Sequence, residues 1–250
     1  MYQEKKLPIT IDGRHIDNLL LCPNSPKGSL TVLLLHQGLG SLKQWKSLQH
    51  KLCEKTALPV FSYSRFGHGQ SAPFEKTIHQ SYLEDEALEY LPSILKQTEI
   101  EKPLLVGHSD GATIALLNGC YFPDKVAGAF IAAPHVFVED LTRLGVERTL
   151  RAFDKGGGLR KALMLEHGEG TEKLVHRWAH TWLSPEFSQW SIVEDLKSWN
   201  VPLQVIQGAR DEYGTVDQVL AIEKQTKSQM LILEECGHNP FTERARETLS

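Results

Sequence analysis

No run of apolar residues in this 250-residue chain approaches the eighteen or so that a membrane-spanning helix needs, so no membrane insertion is expected. Cysteine is scarce: Cys22, Cys53, Cys120 and Cys236 lie far apart with no C-x-x-C pair, which argues against both a zinc site and a disulfide framework and predicts free thiols. There is no basic excess, because 27 lysines and arginines face 31 acidic residues for a net charge of -4, and nucleic acid or an anionic membrane surface is therefore an unfavourable partner. A phosphate-cradling G-x-x-x-x-G-K loop is missing as well. The opening MYQEKKLPITIDG has no apolar stretch after its lysines and does not read as a secretory signal, which makes a cytoplasmic location the expectation. What these absences leave is an ordinary globular chain, 41% hydrophobic and 23% charged, long enough for one large α/β domain acting on a small molecule.

Apolar runs rich in β-branched residues recur at Thr31 to Leu35, Val60 to Tyr63, Leu104 to Val106, Val126 to Ile131, Leu203 to Ile206 and Met230 to Leu233, and predict strands buried on both faces. Helical spacing lies between them, as in Trp45, Leu48 and Leu52 or, in part, Tyr82, Leu88, Leu91 and Leu95. Alternation of this kind implies a mostly parallel sheet with helices on both faces, whose ligands sit outside the carboxyl ends of the strands. Pro8 to Ile11 and Leu19 to Leu21, separated by DGRHIDN, predict an antiparallel hairpin at the edge. From 135 to 199 no strand is evident, and breakers at 156–158, 168–170 and 184–185 divide the stretch into several helices. We read it as a helical cap inserted between two parts of an α/β core, 1–134 and 200–250.

The stretch LLVGHSDGATIAL places Ser109 between a predicted strand ending at Gly107 and a helix beginning just after it. G-x-S-x-G alone is weak, but a serine on a sharp strand-to-helix turn has the arrangement of a nucleophile elbow. The glycines have a mechanical reason, since a strained turn that pushes the hydroxyl outward leaves no room for side chains two positions before and after it. A serine hydroxyl needs a base to take its proton, and the base needs a carboxylate to orient it. Among eleven histidines, His238 in CGHNPF directly follows a predicted strand; Asp211 in GARDEY does the same, with Glu212 beside it and Asp195 and Asp217 as fallbacks. For a developing oxyanion, the backbone N–H of Asp110 and that of Gly38, with Leu39 as its neighbour, are the expected donors. His36 is expected to bond loop backbone, and His108 to pack against the elbow.

Together LLLHQGLGS, YSRFGHGQS, VGHSDGATIAL, QGARDEYG and CGHNPF resemble the α/β-hydrolase fold family over nearly the whole chain. The resemblance implies an eight-stranded, mostly parallel sheet flanked by helices, and a serine hydrolase in which Ser109, Asp211 and His238 form a catalytic triad without metal or organic cofactor. GHSDG followed by APHVFVED is similar to the valacyclovirase-like amino-acid-ester hydrolases, which implies a small carboxylic ester as substrate, an amino-acid ester or amide among the candidates. The loop departs from the commoner HG pattern by having Gln37 after His36. Asp110, beside the serine, is then a candidate for attracting a substrate ammonium. Leu39, Trp178 and Trp182 are candidates for lining the substrate pocket, with Trp178 and Trp182 one helical turn apart. Carbon–carbon bond hydrolysis and perhydrolysis can use the same three residues, and a ligand-binding module without turnover is the alternative outside enzymes. Acyl preference and oligomeric state follow from surface shape, which periodicity does not encode.

Overall fold

The computed structural model describes residues 2–74 and 80–249. Eight strands make one sheet: β1 (Tyr2–Lys5), β4 (Asn18–Pro23), β5 (Val32–Leu35), β6 (Val60–Tyr63), β7 (Leu104–His108), β8 (Gly128–Ala132), β9 (Leu203–Gly208) and β10 (Gln229–Leu233), in the spatial order β1-β4-β6-β5-β7-β8-β9-β10. From β6 to β10 every neighbouring pair is parallel, while β4 joins β6 antiparallel and β1 joins β4 antiparallel. Each of the six strands predicted from apolar runs is present, Val60–Tyr63 with the predicted ends and the others shifted at one or both ends by one or two residues. The expected fold class is therefore the observed one.

The two-residue period of a strand explains the layering. Leu33 and Leu35 of β5 face one apolar cluster with Phe61, Leu105, Ile131 and Val205, whereas Val32 and Leu34 face the other with Val60, Val106, Ala132 and Ile206. On the first face lies α4 (Asp110–Tyr121), buried at every position but its last; on the second lies α1 (Lys46–Thr56) together with Trp45 and Phe241. Each such large apolar side chain taken from water contributes roughly 1.5–3 kcal/mol. All four cysteines are free, as the spacing predicts.

The predicted edge hairpin needs correction. Pro8 to Ile11 does not pair with Leu19 to Leu21: β2 (Thr10–Ile11) instead turns directly into β3 (Arg14–His15), and β4 takes β1 as its edge neighbour with Tyr2 opposite Pro23. The reason is local. Asp12 and Gly13 both have positive φ, 51° and 74°, the conformation of a two-residue type I′ turn, so the hairpin closes within two residues. β1 escapes sequence reading because YQEK is a polar edge strand without an apolar alternation.

The partial periodicity after Tyr82 also has a physical cause. α2 (Tyr82–Asp85) and α3 (Leu91–Thr98) are joined by a π-helical turn, Glu86–Tyr90, whose wider winding shifts the apolar face. Pro92, in the first turn of α3, has no N–H to return to Leu88, which removes one i→i−4 bond at this junction. Between β8 and β9 the chain forms α5 (Asp140–Asp154), α6 (Gly158–His167) and α7 (Thr171–Leu183), then two short 3-10 turns, Glu186–Gln189 and Asp195–Ser198. Gly156 (φ 78°), Gly157 (φ 97°) and Gly168 (φ 62°) lie at the breaks, where only a residue tolerant of positive φ can reverse the chain. α8 (Asp217–Gln225) crosses from β9 to β10, and α9 (Pro240–Glu243) and α10 (Ala245–Thr248) follow. No helix among the described residues is long and apolar enough to cross a membrane.

Candidate active site

Ser109 stands between β7 and α4 with φ 55° and ψ −120°, a strained backbone for a residue with a side chain. The flanking glycines make this possible. A Cβ at Gly107 would lie 2.4 Å from the carbonyl oxygen of Gly111, and one at Gly111 would lie 2.0 Å from that of Leu35. Both are impossible contacts, so the sequence G-x-S-x-G is here a requirement of β7, α4 and the end of β5 meeting at one point.

The loops after β9 and β10 bring Asp211 and His238 to the same rim. The Ser109 hydroxyl donates to His238 Nε2 at 3.0 Å, and His238 Nδ1 faces both carboxylate oxygens of Asp211, at 2.9 and 2.8 Å. Asp211 is in turn held by the N–H groups of Tyr213 (2.7 Å) and Gly214 (3.2 Å) on Oδ1 and by Gln207 Nε2 (2.9 Å) on Oδ2. Burial pushes its pKa upward, but the hydrogen bond and charge of His238 and the Tyr213 N–H outweigh burial and hold it below the ordinary aspartate value. A hydroxyl facing an imidazole that is oriented by an ionised carboxylate can act as a nucleophile. Glu212, Asp195 and Asp217 make no comparable contact; Asp195 instead accepts from Tyr121 Oη at 2.8 Å.

His108 does more than pack against the elbow. Its Nε2–H donates to the backbone carbonyl of His238 at 2.7 Å, and its Nδ1 accepts from Gln44 Nε2 at 3.1 Å, which requires a neutral ring. Burial, with the nearby His238, pulls its pKa down to about 3 and keeps it neutral. His135, also buried and pulled to about 3, lies with its ring 5.8 Å from that of His238.

The loop after β5 is tied down carbonyl by carbonyl. Gln37 O accepts from Arg65 Nη2 (2.8 Å) and from His36 Nδ1 (2.8 Å), Gly38 O faces His68 Nε2 (2.9 Å), and Leu39 O accepts from His167 Nε2 (3.0 Å). In a trans peptide the N–H points opposite to the preceding carbonyl, so these bonds fix the directions of the Gly38 and Leu39 amides. The amides of Gly38 and Asp110 have no hydrogen-bond partner among the described residues, as donors reserved for a developing negative charge would be. His36 bonds loop backbone as expected, its Nε2 accepting from the Arg65 N–H at 3.0 Å.

Asp110 is met by other groups than a substrate would supply. Its Oδ2 accepts from Tyr82 Oη at 2.9 Å and lies 3.7 Å from Arg65 Nη1, and the side chain is 3% exposed. Burial raises its pKa and Arg65 and Tyr82 lower it. Burial has the larger effect and leaves the pKa raised, and the carboxylate already has Arg65 and Tyr82 as neighbours, which weakens the basis for reading it as an ammonium attractor. Tyr82 Oη accepts in turn from Trp182 Nε1 at 2.9 Å, so Trp182, 2% exposed, is chiefly packed among Phe187 and Trp190 and offers one edge to the pocket. Trp178 and Leu39 line that pocket openly; it measures about 170 Å³ and is shared by Ser109, His238, Val146 and Leu163. A Cβ at Gly38 would lie 2.6 Å from Trp178 Nε1, so any larger residue there would have to displace that indole.

Sequence reading missed Gln44, Tyr82, His135, His167, Gln207 and Tyr213, all of which touch or steady this constellation. Most of their contacts are long-range, and only Gln207, near the end of β9, and Tyr213, on the loop that follows, stood close enough to Asp211 for a signal to be sought. Among the described residues no group of three or more His, Cys, Asp or Glu side chains could hold a metal ion.

Solved structures with a similar fold include the 2-hydroxy-6-oxo-6-phenylhexa-2,4-dienoate hydrolase of Rhodococcus sp. strain RHA1, with a TM-score of 0.80 at 19% identity over 99% of this chain and 95% of that one. Another is an alpha/beta hydrolase enzyme from a Medee basin deep-sea metagenome library, with a TM-score of 0.78 at 16% identity over 96% and 93%. Among curated proteins, an abhydrolase domain-containing protein of Schizosaccharomyces pombe is 26% identical over 56% of this chain and 47% of its own length. A proline iminopeptidase of Lactobacillus delbrueckii subsp. lactis is 24% identical over 50% and 42%. The chain thus spans less than half the length of these curated relatives. The sequence profile described as the alpha/beta hydrolase family matches residues 32–250, from the first residue of β5 through all three side chains at the rim, and on that match the chain belongs to the alpha/beta hydrolase family.

Proposed function

We propose that the protein is a serine hydrolase of small-molecule carboxylic esters, with Ser109, His238 and Asp211 as its triad. The observation that carries this reading is the 3.0 Å contact from Ser109 Oγ to His238 Nε2 on a serine whose backbone is held at positive φ. Ser109 Oγ attacks the acyl carbon while His238 Nε2 takes its proton, and Asp211 stabilises the imidazolium and fixes the ring tautomer. The carbonyl oxygen becomes an oxyanion that receives hydrogen bonds from the N–H groups of Gly38 and Asp110. His238 then returns the proton to the leaving oxygen, the C–O bond breaks, and an acyl-serine remains. Water, deprotonated by the same imidazole, attacks the acyl carbon, and collapse of the second tetrahedral intermediate frees the acid and restores the serine.

Helices α5 to α7 serve as the cap: Val146, Leu163 and Trp178 wall the serine pocket with apolar surface, which suits a compact acyl group. Amino-acid esters remain substrates of this class by motif, but Arg65 opposite Asp110 weakens the preference for a cationic amine that the motif implies. A panel of p-nitrophenyl esters tests the reading. Release of p-nitrophenol by the wild-type protein, lost at least 10³-fold in Ser109→Ala, is expected; equal turnover by the two proteins contradicts it.

A further inference from the structure

Behind the serine pocket lies a second cavity of about 140 Å³, and Gly38, Asp110 and Trp178 belong to the walls of both. Its lining holds the guanidinium groups of Arg14, Arg65 and Arg177 with the carboxylates of Asp12, Asp85, Glu86 and Asp110, and Arg65 and Arg177 each keep a buried N–H without a hydrogen-bond acceptor among the described residues. Arg65 is 4% exposed, spends Nη2 on the oxyanion loop, and leaves Nε and Nη1 buried without a hydrogen bond. Arg177, from α7, has its guanidinium 3.2 Å from the centroid of the Phe74 ring and leaves Nη1 buried without a hydrogen bond. Arg177 is half-buried; burial pulls its pKa down to about 10 with Arg65 adding to the effect, while Tyr82, Tyr90 and Asp85 oppose it.

Asp110 and Glu86 give these donors no hydrogen bond, although Asp110 lies within ion-pair distance of Arg65. Asp110 Oδ2 takes the hydroxyl of Tyr82 and stays 3.7 Å from Arg65 Nη1, and Glu86 Oε1 takes the hydroxyl of Tyr63 at 2.7 Å. No carboxylate oxygen of the lining is among the buried side-chain atoms left without a partner among the described residues, whereas guanidinium nitrogens are. An unpaired buried donor costs its desolvation, and a charged one costs more, so the cavity is complementary to a group that brings acceptor oxygens to Arg65 and Arg177. A carboxylate fits a guanidinium fork in geometry as well as in sign.

We infer that this cavity is a subsite for a carboxylate carried by the substrate, reached past Trp178 from the acyl carbon at Ser109. The inference rests on the ester-hydrolase reading and narrows it to esters that bear a second, acidic group. It also reverses the charge preference that Asp110 suggests in the sequence.

The test separates binding from turnover. Calorimetric titration of Ser109→Ala protein with glutarate is expected to give measurable binding, at least tenfold tighter than with neutral glutaramide, and weakened at least tenfold by a further Arg177→Met change, with Arg177→Lys recovering part of it. The glutaramide comparison uses the unaltered cavity and stands even where Arg177→Met impairs folding. No binding of glutarate, equal binding of the amide, or binding of inorganic phosphate alone overturns the carboxylate subsite. Glutarate binding in a protein whose wild type hydrolyses no ester leaves the subsite intact and removes the hydrolase reading instead.

Discussion

The histidine that precedes the serine offers a test in which a pH-independent cost to a variant is set against a pH-dependent loss in the wild type. His108 is fully buried and neutral, bonded at one ring nitrogen to the His238 carbonyl and at the other to Gln44. His108→Leu orphans both partners in a buried place, at about 1–3 kcal/mol each, so a loss on the order of 3 kcal/mol is expected at pH 7. The wild type carries the opposite liability. Its His108 pKa is lowered to about 3 in the folded state against an unperturbed value near 6.5, so the unfolded chain binds the extra proton first as pH falls. The stability contributed by keeping the ring neutral is complete above about pH 6.5 and is lost toward pH 3, at about 1.4 kcal/mol per pH unit. Leucine has no such loss. The wild-type and variant curves, measured by urea unfolding at intervals from pH 7 to pH 4, should therefore converge and meet about two units below 6.5. A gap that stays constant over that range would show that His108 is not held neutral by its surroundings, and the reasoning would fail.

Asp211→Asn keeps the shape of the triad but supplies an amide to His238, and a fall of about 10⁴-fold in kcat with little change in thermal stability is expected by ester assay. Gly111→Ala places a Cβ 2.0 Å from the Leu35 carbonyl, so the variant should be insoluble or melt far below the wild type; unchanged melting would contradict the packing at the elbow. Tyr82→Phe removes the hydroxyl that joins Asp110 to Trp182, and a loss of about 1–2 kcal/mol in urea unfolding together with a lower kcat is the expected pair of effects.

Much of the sheet was legible because its internal strands are buried on both faces, and that burial writes itself as runs such as VLLL and VFSY. The polar edge strand YQEK wrote nothing of the kind, and the two-residue turn at Asp12-Gly13 was overlooked in favour of a longer loop. The rim residues were legible for a different reason: Ser109, Asp211 and His238 each follow a strand end, and chain order along a parallel sheet converts into position in space. What surrounds them was not. His108 meeting His238, His167 reaching Leu39 from α6, and Tyr82 joining Asp110 to Trp182 are contacts between segments far apart in the chain, created by packing rather than by any local pattern. Asp110 is the instructive case, since its neighbour along the chain suggested a substrate cation while its neighbour in space is Arg65.

The reactivity of Ser109 is open to direct measurement. Incubating the folded protein with a fluorophosphonate and mapping the product by mass spectrometry should give one adduct, on Ser109, formed rapidly in the wild type and far more slowly in His238→Ala. A folded protein that takes up no reagent, or takes it up equally well without the histidine, would contradict the account.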